Sequence, residues 1–242
     1  MKTSLRVALA FAAVLALSGC QKTADAAFGQ KVRAYLLEHP EVIEEAVQKL
    51  QEKKVADAAN IAKAGLVKYR KALEQDSRDF VVNPNGKITV VEFFDYRCGY
   101  CKSSAPEIVK IIQDNPDVRF VFKEFPIFGG ESNLAAKVAL TSAGKAKGLA
   151  LYQTFMAEKA LDEAAIDRHL AAAGIDPAQA KAAGESAAVS KQISDTHELA
   201  QALGIEGTPA FIVGDRLVPG ADMPALHAAI AAAKAGDVKA GD

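Results

Sequence analysis

The 242-residue chain is 50% hydrophobic and 24% charged with a formal net charge of −1, which excludes a disordered polypeptide and gives no electrostatic reason to expect a nucleic-acid partner. Its length allows one or two domains with a real core. Without residues 1–19, whose only charges are Lys2 and Arg6, 27 bases face 30 acids and the balance is −3. The chain opens on a targeting segment: Lys2 and Arg6, then the apolar run Val7 to Leu17, too short to count as a membrane span.

That run closes with Leu17-Ser18-Gly19-Cys20, which resembles the lipobox of bacterial lipoproteins, where signal peptidase II cuts before a lipidated cysteine. Residues 1–19 are then a signal peptide and 20–27 a tether carrying lipid on Cys20. The alternative is an ordinary secretory cleavage after Ala24-Asp25-Ala26. Both readings export the protein into a compartment that favours disulfides. With Cys20 lipidated, only Cys98 and Cys101 remain as thiols, too close together for a structural disulfide framework.

Residues 28–76 read as charged helix, with Ile43, Val47 and Leu50, then Ala62, Leu66, Tyr69 and Leu73, forming a one-sided apolar stripe at helical spacing. Pro40 sits where a helix can restart. The stripe needs a partner to cover it, so this segment is expected to build an oligomer. Packing back onto the rest of the chain is the alternative.

Beyond residue 78 the pattern turns to strands, Phe80 to Val82 and Ile88 to Val91, around the turn Asn83-Pro84-Asn85-Gly86. Ser104 to Ile112 reads as helix and Val118 to Phe122 as strand, a succession that implies a parallel crossover. Residues 131–203 are Ala-rich and helical, Pro209 to Val213 and Arg216 to Val218 flank Gly214-Asp215 as a hairpin, and a last helix runs from about Asp222 to Lys234. The order suggests an α/β fold: a mixed sheet with helices on its faces, interrupted by a helical insertion.

The chemistry is carried by Cys98-Gly99-Tyr100-Cys101 at a strand-to-helix junction. A structural zinc site normally takes four ligands, and neither a second cysteine pair nor ligand-like spacing among His39, His169, His197 and His227 supplies them. A helix amino terminus presents unpaired N–H groups that stabilise a thiolate. Cys98 is therefore the expected nucleophile, and Cys101, one turn in, the thiol that resolves a mixed disulfide. Glu92 stands inside an otherwise apolar strand, where a buried carboxylate stays protonated near neutral pH and can exchange a proton with Cys101. A strand-edge Glu facing water remains open. Pro209 after Thr208 opens a strand without costing a ladder donor, and an ordinary turn proline is the plain reading.

The stretch Val91-Glu-Phe-Phe-Asp-Tyr-Arg-Cys-Gly-Tyr-Cys-Lys102, the later Gly207-Thr208-Pro209 and the helical block between them resemble the DsbA-like branch of the thioredoxin superfamily, and within it the ScsC (suppressor of copper sensitivity C) proteins. The likeness covers about residues 78–235, and residues through His39-Pro40-Glu41-Val42-Ile43 also look like the oligomerisation region of that family. The resemblance implies a thioredoxin fold with an inserted helical domain after an amino-terminal oligomerisation segment, possession of a cis-Pro loop at Thr208-Pro209 that binds substrate, and a trimer. Gly99-Tyr100 matches the dipeptide of disulfide isomerases such as DsbC rather than the Pro-His of DsbA, which favours isomerase or reductase work over dithiol oxidation. The expected substrates are periplasmic proteins with thiols or disulfides, recycled by a membrane redox partner. No organic cofactor is called for, although two reduced thiols also suit Cu(I), a soft ion. A lipid on Cys20 would fix the protein to the periplasmic side of a membrane, the outer one in a host that has two.

Overall fold

The computed structural model describes residues 27–236; the expected signal peptide, most of the tether and Cys20 fall outside the described residues. The chain divides between Ala58 and Ala59 into two compact units. In the first, residues 27–38 form helix α1, and after His39-Pro40 helix α2 (Glu41–Lys68) begins, as expected of a proline that cannot donate to a preceding turn. Phe28, Val32, Tyr35 and Leu37 of α1 and Ile43, Val47 and Leu50 of α2 are exposed.

The second unit starts with the last part of α2 and the short helix α3 (Arg70–Glu74). Here the expectation of one uncovered stripe along residues 28–76 is corrected. Leu66 and Leu73 are buried in a cluster with Val91, Phe93, Val121, Leu199 and Leu203, so this half of the stripe packs onto its own domain. The apolar spacing is the same in both halves, and spacing alone does not say which surface covers it.

Strands β1 (Phe80–Val82), β2 (Ile88–Phe94), β3 (Val118–Glu124), β4 (Ala210–Val213) and β5 (Arg216–Pro219) make one sheet in the order β1-β3-β2-β4-β5. Only β2 and β3 run parallel, joined through helix α4 (Gly99–Asp114); β4 and β5 form the expected hairpin. β1 and β2 flank the Asn83–Gly86 turn without pairing, because β3 lies between them. The turn crosses the start of β3: the Asn83 side chain donates to the carbonyls of Ile112, Asn115 and Val118, and a Cβ on Gly86 would lie 2.5 Å from the Arg119 backbone nitrogen. Only glycine fits there.

Strand periodicity sends alternate side chains to opposite faces. Val90, Phe94, Phe120, Phe122 and Phe211 meet α4, helix α7 (Gly148–Ala157) and helix α11 (Met223–Lys234) on one face; Val91, Phe93, Val121 and Ile212 meet α2, α3 and helix α10 (Ala187–Ala202) on the other. The block between β3 and β4 also holds α5 (Gly130–Ala139), α6 (Ser142–Ala146), α8 (Glu163–Ala172) and α9 (Pro177–Gly184). Part of the block expected as an insertion over 131–203 is thus a core layer, since α10 supplies Leu199, Ala200 and Leu203 to the second cluster. Among the described residues no helix is long and apolar enough to cross a membrane.

Candidate active site

β2 ends at Phe94, a short turn follows, and Cys98 caps α4 in an extended conformation with its N–H bonded to the Asp95 carbonyl. Helix formation begins at Gly99, ahead of the run Ser104 to Ile112, and so puts Cys98 at the helix start and Cys101 in its first turn, where the sequence predicts them. Both cysteines are free thiols and both are buried, Cys101 completely. The Tyr100 side chain between them is 72% exposed, available to whatever approaches the site.

The Cys98 thiol is pulled down to about 5, first by a hydrogen bond from the Cys101 thiol, against the opposing effect of burial, with further help from the backbone N–H groups of Cys101 and Tyr100. These are the unpaired amides of the first helical turn, the expected source of thiolate stabilisation. Burial pushes the Cys101 thiol far above its ordinary value, reinforced by its bond to Cys98 and by the charge on Glu92. The two thiols are thereby split into one that ionises easily and one that holds its proton.

The Thr208–Pro209 peptide bond is cis, and the Cys98 thiol donates to the Thr208 carbonyl at 3.1 Å. The loop before β4 therefore lies directly against the nucleophile, 110 residues away in sequence. Glu92 is fully buried, which removes the alternative of an edge carboxylate facing water. Desolvation raises it to about 8 despite Tyr152 of α7, whose hydroxyl donates to both carboxyl oxygens at 3.2 Å.

Residues 89–231 match the DSBA-like thioredoxin domain, more than half of the chain. The chain belongs to this family. Residues 25–56, ahead of that domain, match the N-terminal domain of the copper resistance protein ScsC. Among solved structures, Salmonella enterica Typhimurium BcfH is 34% identical with a TM-score of 0.68, covering 85% of this chain and 94% of its own. Proteus mirabilis ScsC in a transitional conformation is 32% identical with a TM-score of 0.65, covering 87% and 99%. The thiol:disulfide interchange protein DsbA of Bordetella pertussis is 31% identical over 138 residues, 54% of this chain. The chain spans 65% of the length of that curated relative.

The DSBA-like domain holds its active-site turn with groups that sequence reasoning missed. Asp95 Oδ1 accepts from the Arg97 N–H at 2.7 Å and the Ser132 hydroxyl at 2.8 Å, while Oδ2 accepts from the Ile127 and Phe128 N–H groups at 2.7 and 3.1 Å. One carboxylate so ties the β2–α4 turn to the loop after β3. Glu124 is a second buried acid, accepting from the Tyr96 hydroxyl at 2.9 Å and raised well above the usual carboxylate range by burial. Its sequence signal is related to that of Glu92: Glu92 stands inside an apolar strand and Glu124 closes one. Tyr152 gave none, since an aromatic in an Ala-rich helix reads as core.

Glu92 also sets a pH dependence of stability. Its folded-state value, about 8, lies above the ordinary 4.5, so the folded protein holds a proton that the unfolded chain has lost. Stability from this group is complete below about pH 4.5 and falls as pH rises toward 8, by up to about 1.4 kcal/mol per pH unit. Glu92→Gln, neutral at every pH, is expected to lose this slope and to be more stable than the wild type at pH 8. Urea unfolding from pH 5 to 8 measures it, and parallel curves would show that Glu92 ionises normally.

Proposed function

We propose that the protein is an exported thiol–disulfide oxidoreductase acting on protein disulfides in the cell envelope. The observation that carries this reading is Cys98: a thiol brought down to about 5 at a helix amino terminus, against a cis-Pro loop. The Cys98 thiolate attacks one sulfur of a substrate disulfide; that S–S bond breaks, a Cys98–substrate disulfide forms, and the other substrate sulfur leaves as thiolate with the electron pair. Two exits follow. Another substrate thiolate can displace Cys98 and leave a rearranged disulfide, which is isomerisation. Alternatively, Cys101 loses its proton, which only the ionised fraction of Glu92, a minority below its value of about 8, can accept, and attacks Cys98, so that the substrate is reduced and the cysteine pair oxidised.

Gly99-Tyr100 and the exposed apolar helices of the first unit favour isomerase or reductase work. A thiolate this stable is also a good leaving group, which is what a dithiol oxidase needs, and that remains the alternative direction. The likeness of residues 25–56 to the N-terminal domain of the copper resistance protein ScsC supports a second reading in which the reduced pair holds Cu(I). Among the described residues no group of three or more possible ligands is assembled, so copper would sit on Cys98 and Cys101 alone. Export with a lipid on Cys20, a membrane redox partner and a homotrimer complete the proposal.

Alkylation of the reduced protein between pH 4 and 9 tests the carrying observation, since only the thiolate reacts. The rate at Cys98 is expected to reach half its plateau near pH 5. Cys101→Ala should move that midpoint upward, because it removes the hydrogen-bond donor that contributes most. A midpoint near 8.5, the ordinary thiol value, would remove the basis of the assignment.

A further inference from the structure

A groove leads away from the cis-Pro loop. Residues Gly204 to Ala210, with Leu217, Pro219 and Gly220, line a cleft of about 320 Å³. A second cleft of about 400 Å³ shares Gly204, Ile205 and Glu206 with it and continues to Phe125, Ser194, His197, Glu198 and Gln201 on the exposed side of α10. The two clefts adjoin at these three residues, and the first of them reaches the loop whose Thr208 carbonyl bonds the Cys98 thiol.

The lining has an apolar floor and an acidic rim. Phe125 and Ile205 are buried beneath it, with the His197 ring 4.7 Å from that of Phe125. Glu198 and Glu206 are exposed at the edge. Neither forms an ion pair among the described residues, and no Lys or Arg lines either cleft. The nearby cations are engaged elsewhere: Arg78 with Asp76 and Asp195, Lys191 with Asp195, and Lys123 with Asp79. The rim thus presents two carboxylates free to meet a positive charge on an incoming chain.

Building on the proposed function, we infer that this groove selects the substrate: it receives an extended segment flanking the target cysteine that carries Lys or Arg beside apolar residues. The cysteine lies at Cys98 while the flanking chain runs past Thr208-Pro209, its apolar side chains over Phe125 and Ile205 and its basic side chain at Glu198 and Glu206. Rim charges of this kind act chiefly on encounter and partner choice, and salt weakens them. The attraction does not alter the exchange chemistry at Cys98. It decides which disulfides reach it.

The test uses the full-length Cys101→Ser protein and synthetic peptides in which one cysteine is disulfide-bonded to a small aromatic thiol. Cys98 attacks the peptide sulfur, the bond between the two sulfurs breaks, and the aromatic thiolate departs and is read by absorbance. Peptides with Lys or with Glu at the same positions, placed on either side of the cysteine, are compared with an uncharged small-molecule disulfide. At low ionic strength the Lys peptides are expected to react on the order of three- to tenfold faster than the Glu peptides, a surface-pair effect. The ratio should fall toward one in 0.5 M salt and in Glu198→Gln/Glu206→Gln, and persist in Glu163→Gln on distant α8. Because it is a ratio within one protein, partial loss of folding does not mimic its collapse. Equal rates for both peptides in the wild-type groove, or a preference that survives Glu198→Gln/Glu206→Gln, would overturn the inference. Failure of even the uncharged disulfide to react would instead remove the oxidoreductase reading beneath it.

Discussion

Cys98→Ser is expected to abolish thiol exchange, and Cys101→Ser to stop the same cycle one step later, with the protein trapped as mixed disulfides. The asymmetry follows from the environments of the two sulfurs. Cys98 is brought down to about 5 and lies against the cis Thr208–Pro209 loop, whereas Cys101 is completely buried and holds its proton. A serine hydroxyl at position 98 is neutral over the whole working range and cannot attack a disulfide. Turnover should fall by at least on the order of 10⁴-fold, the scale on which removal of a catalytic nucleophile acts. With Cys101 replaced, the first attack still occurs but no internal thiol displaces the substrate, so disulfide-linked adducts should build up on non-reducing gels and vanish with reductant. Equal residual turnover in the two variants, or adducts formed through position 101 in Cys98→Ser, would show that the roles are wrongly divided.

How much of this was legible in the sequence depends on whether the signal was local. The β2–turn–α4 junction could be read because an apolar strand, two cysteines three apart and an amphipathic helix follow one another within the stretch Ile88 to Ile112, and the chemistry of a helix amino terminus needs nothing from elsewhere. The burial of Glu92 was inferable from its apolar neighbours. Its partner Tyr152 was not, since that hydroxyl comes from 60 residues downstream. Asp95 shows the same limit: its four bonds go to two segments, and nothing at position 95 announces the second. The cis peptide at Thr208–Pro209 was expected from family resemblance rather than from any local pattern. The sheet order eluded a local reading because β3, which separates β1 from β2, enters the chain after both.

The amino-terminal stripe teaches the same lesson with a consequence for experiment. Removing the helices through residue 58 is expected to yield a folded, monomeric catalytic domain that retains thiol exchange but loses isomerase activity, whereas a deletion carried to residue 76 should not fold stably. The second cut removes Leu66 and Leu73, both buried in the cluster beneath the sheet with Phe93 and Val121, and truncating even one such leucine typically costs about 2–5 kcal/mol, a large share of a domain's net stability. It also strips Lys123 of the Ala72 carbonyl, to which its buried ammonium donates at 2.6 Å. The first cut removes side chains that are exposed, among them Phe28, Tyr35, Ile43, Val47 and Leu50. Apolar residues at helical spacing in water are what a coiled-coil or bundle seam requires, and the proposed oligomer would cover them. Assembly would place several Cys98 sites around one substrate and raise the local thiol concentration, which isomerisation needs and simple oxidation does not. Light scattering gives the mass of each form, and refolding of a scrambled-disulfide protein beside oxidation of a dithiol peptide separates the activities. A full-length protein that is monomeric at micromolar concentration, or a truncation at residue 58 that still unscrambles disulfides, would defeat the proposal that oligomerisation makes the isomerase.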